Sequence, residues 1–550
     1  MSHHTCRWLA VATSFALAVP VLASAAGGSR QPGPAACPAM APPSLAALAV
    51  TTTFAPQDGT TIDAATSPPQ PADADAEARA HAQERARFDR ILVERSGLVV
   101  PAATPLALSA QQRVGIDGAV GREDRPKIGE AIDVGQAVDF AGADVAHLPH
   151  GGAALSRGVL GRADGGAFVW ETALESAGAK ALRVEFTDVA LADGVQLFVY
   201  NEDGQVWGPF TGPGPDQAGT FWSPSVFGDT VRVHLSAADP AALAASRFTL
   251  ARAMHLGMRA GALQDDIRER YATGPRPDNI DYCGAQVPDC TQNAVCWIDA
   301  NPALATASDA IAHIEFVEGS STYICTGAYL SQTGNAPQQP YFMTANHCLS
   351  TQASASTLEA FFKFRTAACN GTCPAQGSVP RVNGSTLVVT GALPSYPDFT
   401  FLRLSGFPTG GARLLGWTSG QVPEAASVMH MGHPAGSPLA FSFRRARLNN
   451  GSLPHPADWP EPTFLYSGLA SSSSDWAGAI AGGSSGGPAL LLGSDGSAPF
   501  VGQLLGAGYT QTSPDYCDPN GTSTVDGAFR VTYPRVSRYL YDRIFRSGFE

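Results

Sequence analysis

Charged residues are scarce in this chain: 15% of its 550 residues are Asp, Glu, Lys or Arg, and the formal balance is −13. A deficit of basic groups excludes nucleic acid as a partner, because neutralising phosphates needs a positive surface. It leaves room for basic substrates, which an acidic surface attracts. Long apolar runs are missing beyond the first 25 residues. Without a later stretch of about 20 apolar residues, no stable membrane anchor is expected. Cysteine is absent between Cys37 and Cys283, and eight of the ten cysteines fall in the stretch from Cys283 to Cys517. That cluster lacks paired C-x-x-C elements, which argues against zinc. No metal and no organic cofactor is expected.

Glycine and proline, by contrast, are plentiful, at 58 and 42, and 44% of residues are hydrophobic. The mix favours turn-rich β structure, and the length calls for about two or three domains. At the N-terminus His3, His4 and Arg7 precede an apolar run from Trp8 to Leu22, and Ala23-Ser24-Ala25 offers a small-residue cleavage site. Residues 1–25 therefore read as a signal peptide, and the protein as secreted. In an oxidising compartment, an even set of cysteines confined to one domain means disulfides.

Residues 26–149 read as a disordered or pro segment, with one helix expected within Glu77 to Leu98 and no clear period from Arg113 to Phe140. Residues 150–258 carry short period-2 runs around Trp170, Val184, Phe198 and Val233, separated by turns such as Asp193-Gly194. They read as a β-sandwich. Its rings Trp170, Trp207, Phe210, Phe221 and Trp222 would fill the core or, alternatively, bind glycan. Residues 259–282 form a polar junction in which Arg268 or Arg270 is a better maturation site than Arg276, which precedes Pro277. Val536, Leu540 and Ile544 predict a helix over Pro534 to Phe545. Residues 546–550 make a short tail without explanation.

The chemistry concentrates downstream. Gly483-Ser484-Ser485-Gly486-Gly487-Pro488 is a turn in which glycines let backbone N–H groups approach a substrate oxygen. A serine there becomes a nucleophile if an imidazole takes its proton, and Thr344-Ala345-Asn346-His347-Cys348 supplies one. Asp398-Phe399-Thr400-Phe401-Leu402 lies between the two, and the order His…Asp…Ser is the one used by chymotrypsin-type proteases.

From Cys283 to Phe545 the sequence resembles bacterial secreted trypsin-type serine proteases, and most of all lysyl endopeptidases, on these motifs together with Cys325-Thr326-Gly327 and Val501-Gly502-Gln503-Leu504. The resemblance implies a double antiparallel β-barrel over 283–545 with a terminal helix, and a catalytic triad of His347, Asp398 and Ser485. The N–H groups of Gly483 and Ser485 would form the oxyanion hole. It also implies disulfides Cys290–Cys517 and Cys296–Cys369, beside an expected Cys325–Cys348 bridge, which leaves Cys283–Cys373. Ser484 stands where animal trypsins have an acid that pairs with the freed N-terminus, so activation should depend on removing the proregion.

For specificity, Ala479 occupies the trypsin pocket-acid position six residues before the serine. The resemblance moves that role to Asp526, beside Leu505 and Gly506, and predicts cleavage after Lys, with Arg second; Asp526-Gly527 reads equally as a turn. Leu505 replaces a family histidine, which would relax selectivity. His430 and His433 read as loop histidines near the cleft rather than metal ligands. The expected protein is a secreted serine endopeptidase made as a precursor, acting on proteins or peptides, with its proregion as intramolecular chaperone and inhibitor. The alternative is a secreted binding or adhesion protein that uses the sandwich for glycan or protein recognition.

Overall fold

Period-2 runs fold as strands wherever one face can be buried, and in the N-terminal half they form two facing antiparallel sheets. The computed structural model describes residues 61–67, 74–117, 125–141, 145–148, 151–155, 158–257, 279–283, 285–288, 290–299, 301–334, 337–447, 464–467, 476–509, 517 and 522–541. The signal-peptide segment, Cys37, the maturation candidates Arg268, Arg270 and Arg276, and the tail Arg546–Glu550 lie outside them.

One sandwich sheet runs Ala153–Leu155, Gly158–Arg162, Phe168–Glu175, Thr230–Ala237, Gln196–Tyr200, Val206–Phe210 in spatial order. Leu235 sits opposite both Trp170 and Leu197, so their side chains share one face. Against that face pack Leu182, Val184, Phe186, Phe248 and Leu250 of the other sheet. Trp170 is 1% exposed, and Trp207, Phe210 and Phe221 pack on the same core. Trp222 packs on a neighbouring core cluster, under the guanidinium of Arg252. The five rings serve as packing groups, with Trp170 and Phe221 buried and Trp207, Phe210 and Trp222 half-buried at the margin of the cores.

The sandwich starts earlier than residue 150. Lys127–Asp139, in a stretch without legible period, is a full strand of the second sheet, paired with Arg247–Leu256. Its other edge pairs with Ser321–Tyr329, matching Ser321 with Glu130 and Thr322 with Gly129. The sandwich sheet thereby runs on into the first barrel as one twelve-stranded sheet. The helix spans Ala74–Glu94, and its Phe88 and Ile91 cover Phe198, Tyr200 and Val206. Residues 61–67, expected to be disordered, are hydrogen-bonded to the C-terminal half.

That half is a double antiparallel barrel. The first contains Ile311–Glu318, Ser321–Tyr329, Tyr341–Ala345, Glu359–Phe362, Arg381–Asn383, Ser385–Gly391 and Phe399–Leu404. The second runs Gln292–Asn293, Ala440–Arg445, Ser427–Gly432, Pro488–Leu491, Phe500–Tyr509, Thr522–Ala528, Phe464–Ser467. The terminal helix is Phe529–Leu540, one turn earlier than the sequence spacing suggests. Phe529 and Thr532 extend the buried stripe of Val536 and Leu540 toward the N-terminus; residues beyond Tyr541 lie outside the described ones. Disulfides join Cys283–Cys373, Cys290–Cys517, Cys296–Cys369 and Cys325–Cys348. Among the described residues no helix is long and apolar enough to cross a membrane.

The sandwich meets the first barrel through polar groups as well as the shared strand edge. Glu359, fully buried, accepts from Ser225 N at 3.0 Å and from Arg381 at 3.1 Å, and lies 3.6 Å from Arg183. Beside it Gln376 links Lys180 of the sandwich to Glu315, which His313 also contacts at 3.2 Å. Burial alone would push the Glu315 carboxyl up, but His313 and Lys180 outweigh it and hold it at about 2.

Candidate active site

Three turns converge where the barrels meet. The strand Tyr341–Ala345 ends in Asn346, and its amide bonds the Asp398 carbonyl at 3.1 Å, tying the His347 turn to the one before Phe399–Leu404. Asp398 is 3% exposed and sits at φ +54°, a left-handed conformation that Asp tolerates better than most residues. There its carboxylate grips His347 twice. Oδ1 accepts the His347 backbone N–H at 3.0 Å and Oδ2 accepts Nδ1–H at 2.6 Å. A proton on Nδ1 suits that contact, and in this tautomer the basic lone pair of the imidazole lies on Nε2.

The Ser485 turn is fastened to the same place. Thr326 N donates to the Ser485 carbonyl at 2.8 Å, and Thr326 Oγ1 donates to the Gly483 carbonyl at 2.8 Å while accepting His433 N–H. Cys348 Sγ lies 3.7 Å from the Ser485 carbonyl oxygen, and a His347 ring nitrogen is within 4.8 Å of both sulfurs of the Cys325–Cys348 bridge. Gly483 is at φ +97°, where a Cβ would meet the His433 carbonyl at 2.7 Å. Gly486 N donates to Leu504 O and Leu504 N to Gly487 O, so the strand Phe500–Tyr509 clasps the turn from the other side. Ser485, 3% exposed, thus shares one hydrogen-bonded frame with His347 and Asp398.

Two contributors carry weight that the motifs alone do not reveal. Gln503, fully buried, donates to Pro397 O at 2.7 Å and to Asp398 O at 3.3 Å, reaching from the second barrel to fix the Asp398 turn. Thr326 ties the Ser485 turn to the strand that leads into His347, because its carbonyl accepts from Thr344 Oγ1 at 2.8 Å. Both lie inside short matched motifs, and a buried amide or hydroxyl there was the signal available.

Asp526 lies on Thr522–Ala528 opposite Leu504, rather than in a turn. It is 0% exposed, and His430 Nε2 is 2.8 Å from Oδ1. Leu505 falls at a register shift between Leu504 and Gly506, and Gly506 pairs with Val525. His430 is a strand residue of Ser427–Gly432, not a loop histidine. Together with Ala479, Ile480, Ser484 and Leu504 it lines a cavity of about 10 Å³. His433 follows that strand; its Nδ1–H donates to Ser437 O at 2.9 Å, and burial with His313 nearby pushes its pKa down to about 3.

The sandwich half reaches this region too. Arg125 donates to Cys348 O at 2.8 Å, next to His347, lies over the Tyr323 ring and pairs with Glu318.

Comparison with known proteins agrees with the division into halves. Residues 161–257 match the lysyl endopeptidase N-terminal domain, and residues 285–518 match the lysyl endopeptidase C-terminal domain. The lysyl endopeptidase of Pseudomonas aeruginosa is 28% identical over 374 residues, 66% of this chain and 71% of that protein. Among solved structures, the protease Anisep from Arthrobacter nicotinovorans aligns at 17% identity and a TM-score of 0.29, over 43% of this chain and 97% of that one. A thermostable serine protease from an extremophilic microorganism aligns at 14% and 0.26, over 41% and 97%. Scores that low add nothing to what the strand order already establishes. With one family model on the sandwich and the other on the double barrel, the chain is a lysyl endopeptidase-like protease.

Proposed function

We propose that this chain is the precursor of an exported serine endopeptidase that cuts peptide bonds after Lys, with Arg second. The observation that carries the reading is the double grip of Asp398 on His347, made in the same frame that pins the Ser485 turn. Ser485 Oγ attacks the scissile carbonyl carbon as its proton passes to His347 Nε2. The resulting oxyanion is met by the N–H groups of Gly483 and Ser485. Collapse breaks the C–N bond, and the imidazolium protonates the leaving amine. Water then adds to the acyl-enzyme, with His347 again taking a proton, and the carboxylic product departs. Asp398 holds the Nδ1–H tautomer throughout and stabilises the imidazolium.

Specificity for a basic residue rests on the Asp526 carboxylate, with His430 as its fixed partner. His430 lines a small cavity with Leu504 and Ala479, and Asp526 pairs across the sheet with Leu504, so a carboxylate there favours a cationic side chain. Export is supported by the N-terminal apolar run and the four disulfides. A precursor is supported by the Arg125 contact at Cys348, since a segment of the sandwich half occupies space beside the proposed base.

The test is active-site labelling. Phenylmethylsulfonyl fluoride should add one sulfonyl group to Ser485 Oγ, with loss of fluoride, located by peptide mass spectrometry. Labelling should vanish in Ser485→Ala and fall sharply in His347→Ala. Labelling at another serine would defeat the assignment.

A further inference from the structure

Residues 61–67 contain one large apolar side chain and no period, yet they make a dense set of bonds to the connection between the barrels. Ala64 pairs with Trp417 in an antiparallel bridge: Ala64 N donates to Trp417 O at 3.1 Å and Trp417 N to Ala64 O at 2.9 Å. Ser67 N donates to Leu414 O at 2.9 Å. Side chains add direction to this pairing. Asp63 Oδ2 accepts from Ser419 N and, at 2.8 Å, from Ser419 Oγ. Thr66 Oγ1 accepts from Gly416 N at 3.0 Å and Ser67 Oγ from Leu414 N at 3.1 Å. Thr418 and Ser331 hydroxyls donate to the carbonyls of Thr61 and Ala65.

The receiving segment is built for close approach. A Cβ on Gly416 would come within 2.4 Å of Ala64 O and of Thr66 N, so only glycine lets the strap lie there. Leu415 bridges to Leu330 and Trp417 to Phe500, joining the connection to both barrels. Trp417 is fully buried against Phe529 and Tyr533 of the terminal helix. None of these partners belongs to the His347, Asp398 or Ser485 turns.

We infer that Leu414–Ser419 is a second peptide-binding groove, separate from the catalytic cleft, whose ligand is an extended peptide with a carboxylate followed three and four positions later by hydroxyls. Thr61–Ser67 is that ligand in cis. Main-chain pairing supplies affinity, while Asp63, Thr66 and Ser67 supply selectivity. One consequence rests on the proposed precursor. After a cut in the junction, the released half stays attached at two places, the sandwich seam and this strap, and bivalence slows its loss.

The test uses the full-length chain with Ser485→Ala, so that peptidase activity plays no part. A second chain adds Asp63→Ala, Thr66→Val and Ser67→Ala to vacate the groove. A fluorescent peptide of residues 61–67 should bind the vacated chain saturably, and the parent chain at least about tenfold more weakly because its groove is filled. Asp63→Ala in the peptide alone, which leaves the protein's folding untouched, should weaken binding by about tenfold or more, as expected for loss of a charge-assisted hydrogen bond. Equal binding to both chains, indifference to Asp63 in the peptide, or no saturation by about 1 mM would each overturn the groove. Binding as expected, beside a processed wild type that never cleaves peptides, would sink the proposed function alone; cleavage by the wild type without that binding would sink the groove alone.

Discussion

Gly486 occupies one of the tight positions in the candidate site. At φ +79° a Cβ would lie 2.2 Å from Thr344 Oγ1 and 2.5 Å from Thr326 O, so alanine must push the Ser485 turn off its support. A displacement of that size should lower kcat/KM about 100-fold in Gly486→Ala. A peptide-amide assay checks this, with circular dichroism to confirm the fold. Asp398→Asn reverses the donor at His347 Nδ1 and should cost about 10⁴ in kcat with KM near normal; a loss smaller than tenfold would remove Asp398 from the triad. At the pocket, Asp526→Asn should reduce the preference for Lys over a neutral residue by at least about tenfold, since an ion-paired contact becomes a neutral one. Matched substrates differing only in that residue read it out, and an unchanged ratio would show that Asp526 serves only His430. The proposed triad residues stood out because each sits in a short motif where glycine, histidine or serine has one steric or chemical use, and the structure brings two of them, His347 and Asp398, into contact. The partnership of Asp526 with His430 was not legible, because the two are 96 positions apart and nothing local marks the contact.

Elements were legible where short runs rich in β-branched and aromatic residues lay between turn signals. Phe168–Glu175, Ala181–Ala190 and Thr230–Ala237 answered to such runs, although these strands are buried on both faces. Lys127–Asp139 did not, because Gly129, Glu130 and Gln136 fall at buried or close-approach positions. Gly129 is required where a Cβ would meet Leu256 at 2.6 Å, and Glu130 is paired with Lys127. The strap was illegible for a related reason: its binding is almost entirely hydrogen bonding, which leaves no hydrophobic pattern. The helix Ala74–Glu94 has a pH-dependent anchor at its end. His234 is buried between Glu94 and Glu171, at 3.2 and 3.1 Å. Burial alone would lower its pKa, but its hydrogen bonds to the carboxylates of Glu171 and Glu94 raise it above the ordinary 6.5. Burial would likewise raise Glu94, yet His234 and Arg90 bring it from the ordinary 4.5 to about 2. The His234 contribution is full below 6.5 and is lost as pH rises through the higher folded value, whereas the Glu94 contribution is full above 4.5 and is lost as pH falls toward 2. Protection of the helix amides, taken relative to their intrinsic exchange rates at each pH, should therefore be greatest between 4.5 and 6.5. His234→Gln should flatten the alkaline limb, and an unchanged limb would place the pH dependence elsewhere.

At the scale of the molecule, the two halves share a strand edge and a polar seam. Glu359 and Glu315 are satisfied partly by Ser225, Arg183 and Lys180 from the sandwich, groups that water could replace on separation. Such a seam suits a partner that must first hold a protease domain and later leave it. The sequence divided the chain into these halves by cysteine content and periodicity, but the twelve-stranded continuity depends on long-range pairing that no local signal encodes. A site that works as proposed hydrolyses peptide bonds through Ser485 with a basic residue before the cut. The experiment to make first is a peptide library digested by the processed wild type and by Ser485→Ala, with cut sites read by mass spectrometry. Cuts after Lys, fewer after Arg, and none in the variant are expected. Cuts that persist in Ser485→Ala, or no cuts by a wild type whose N-terminal half has been removed, would contradict the proposal.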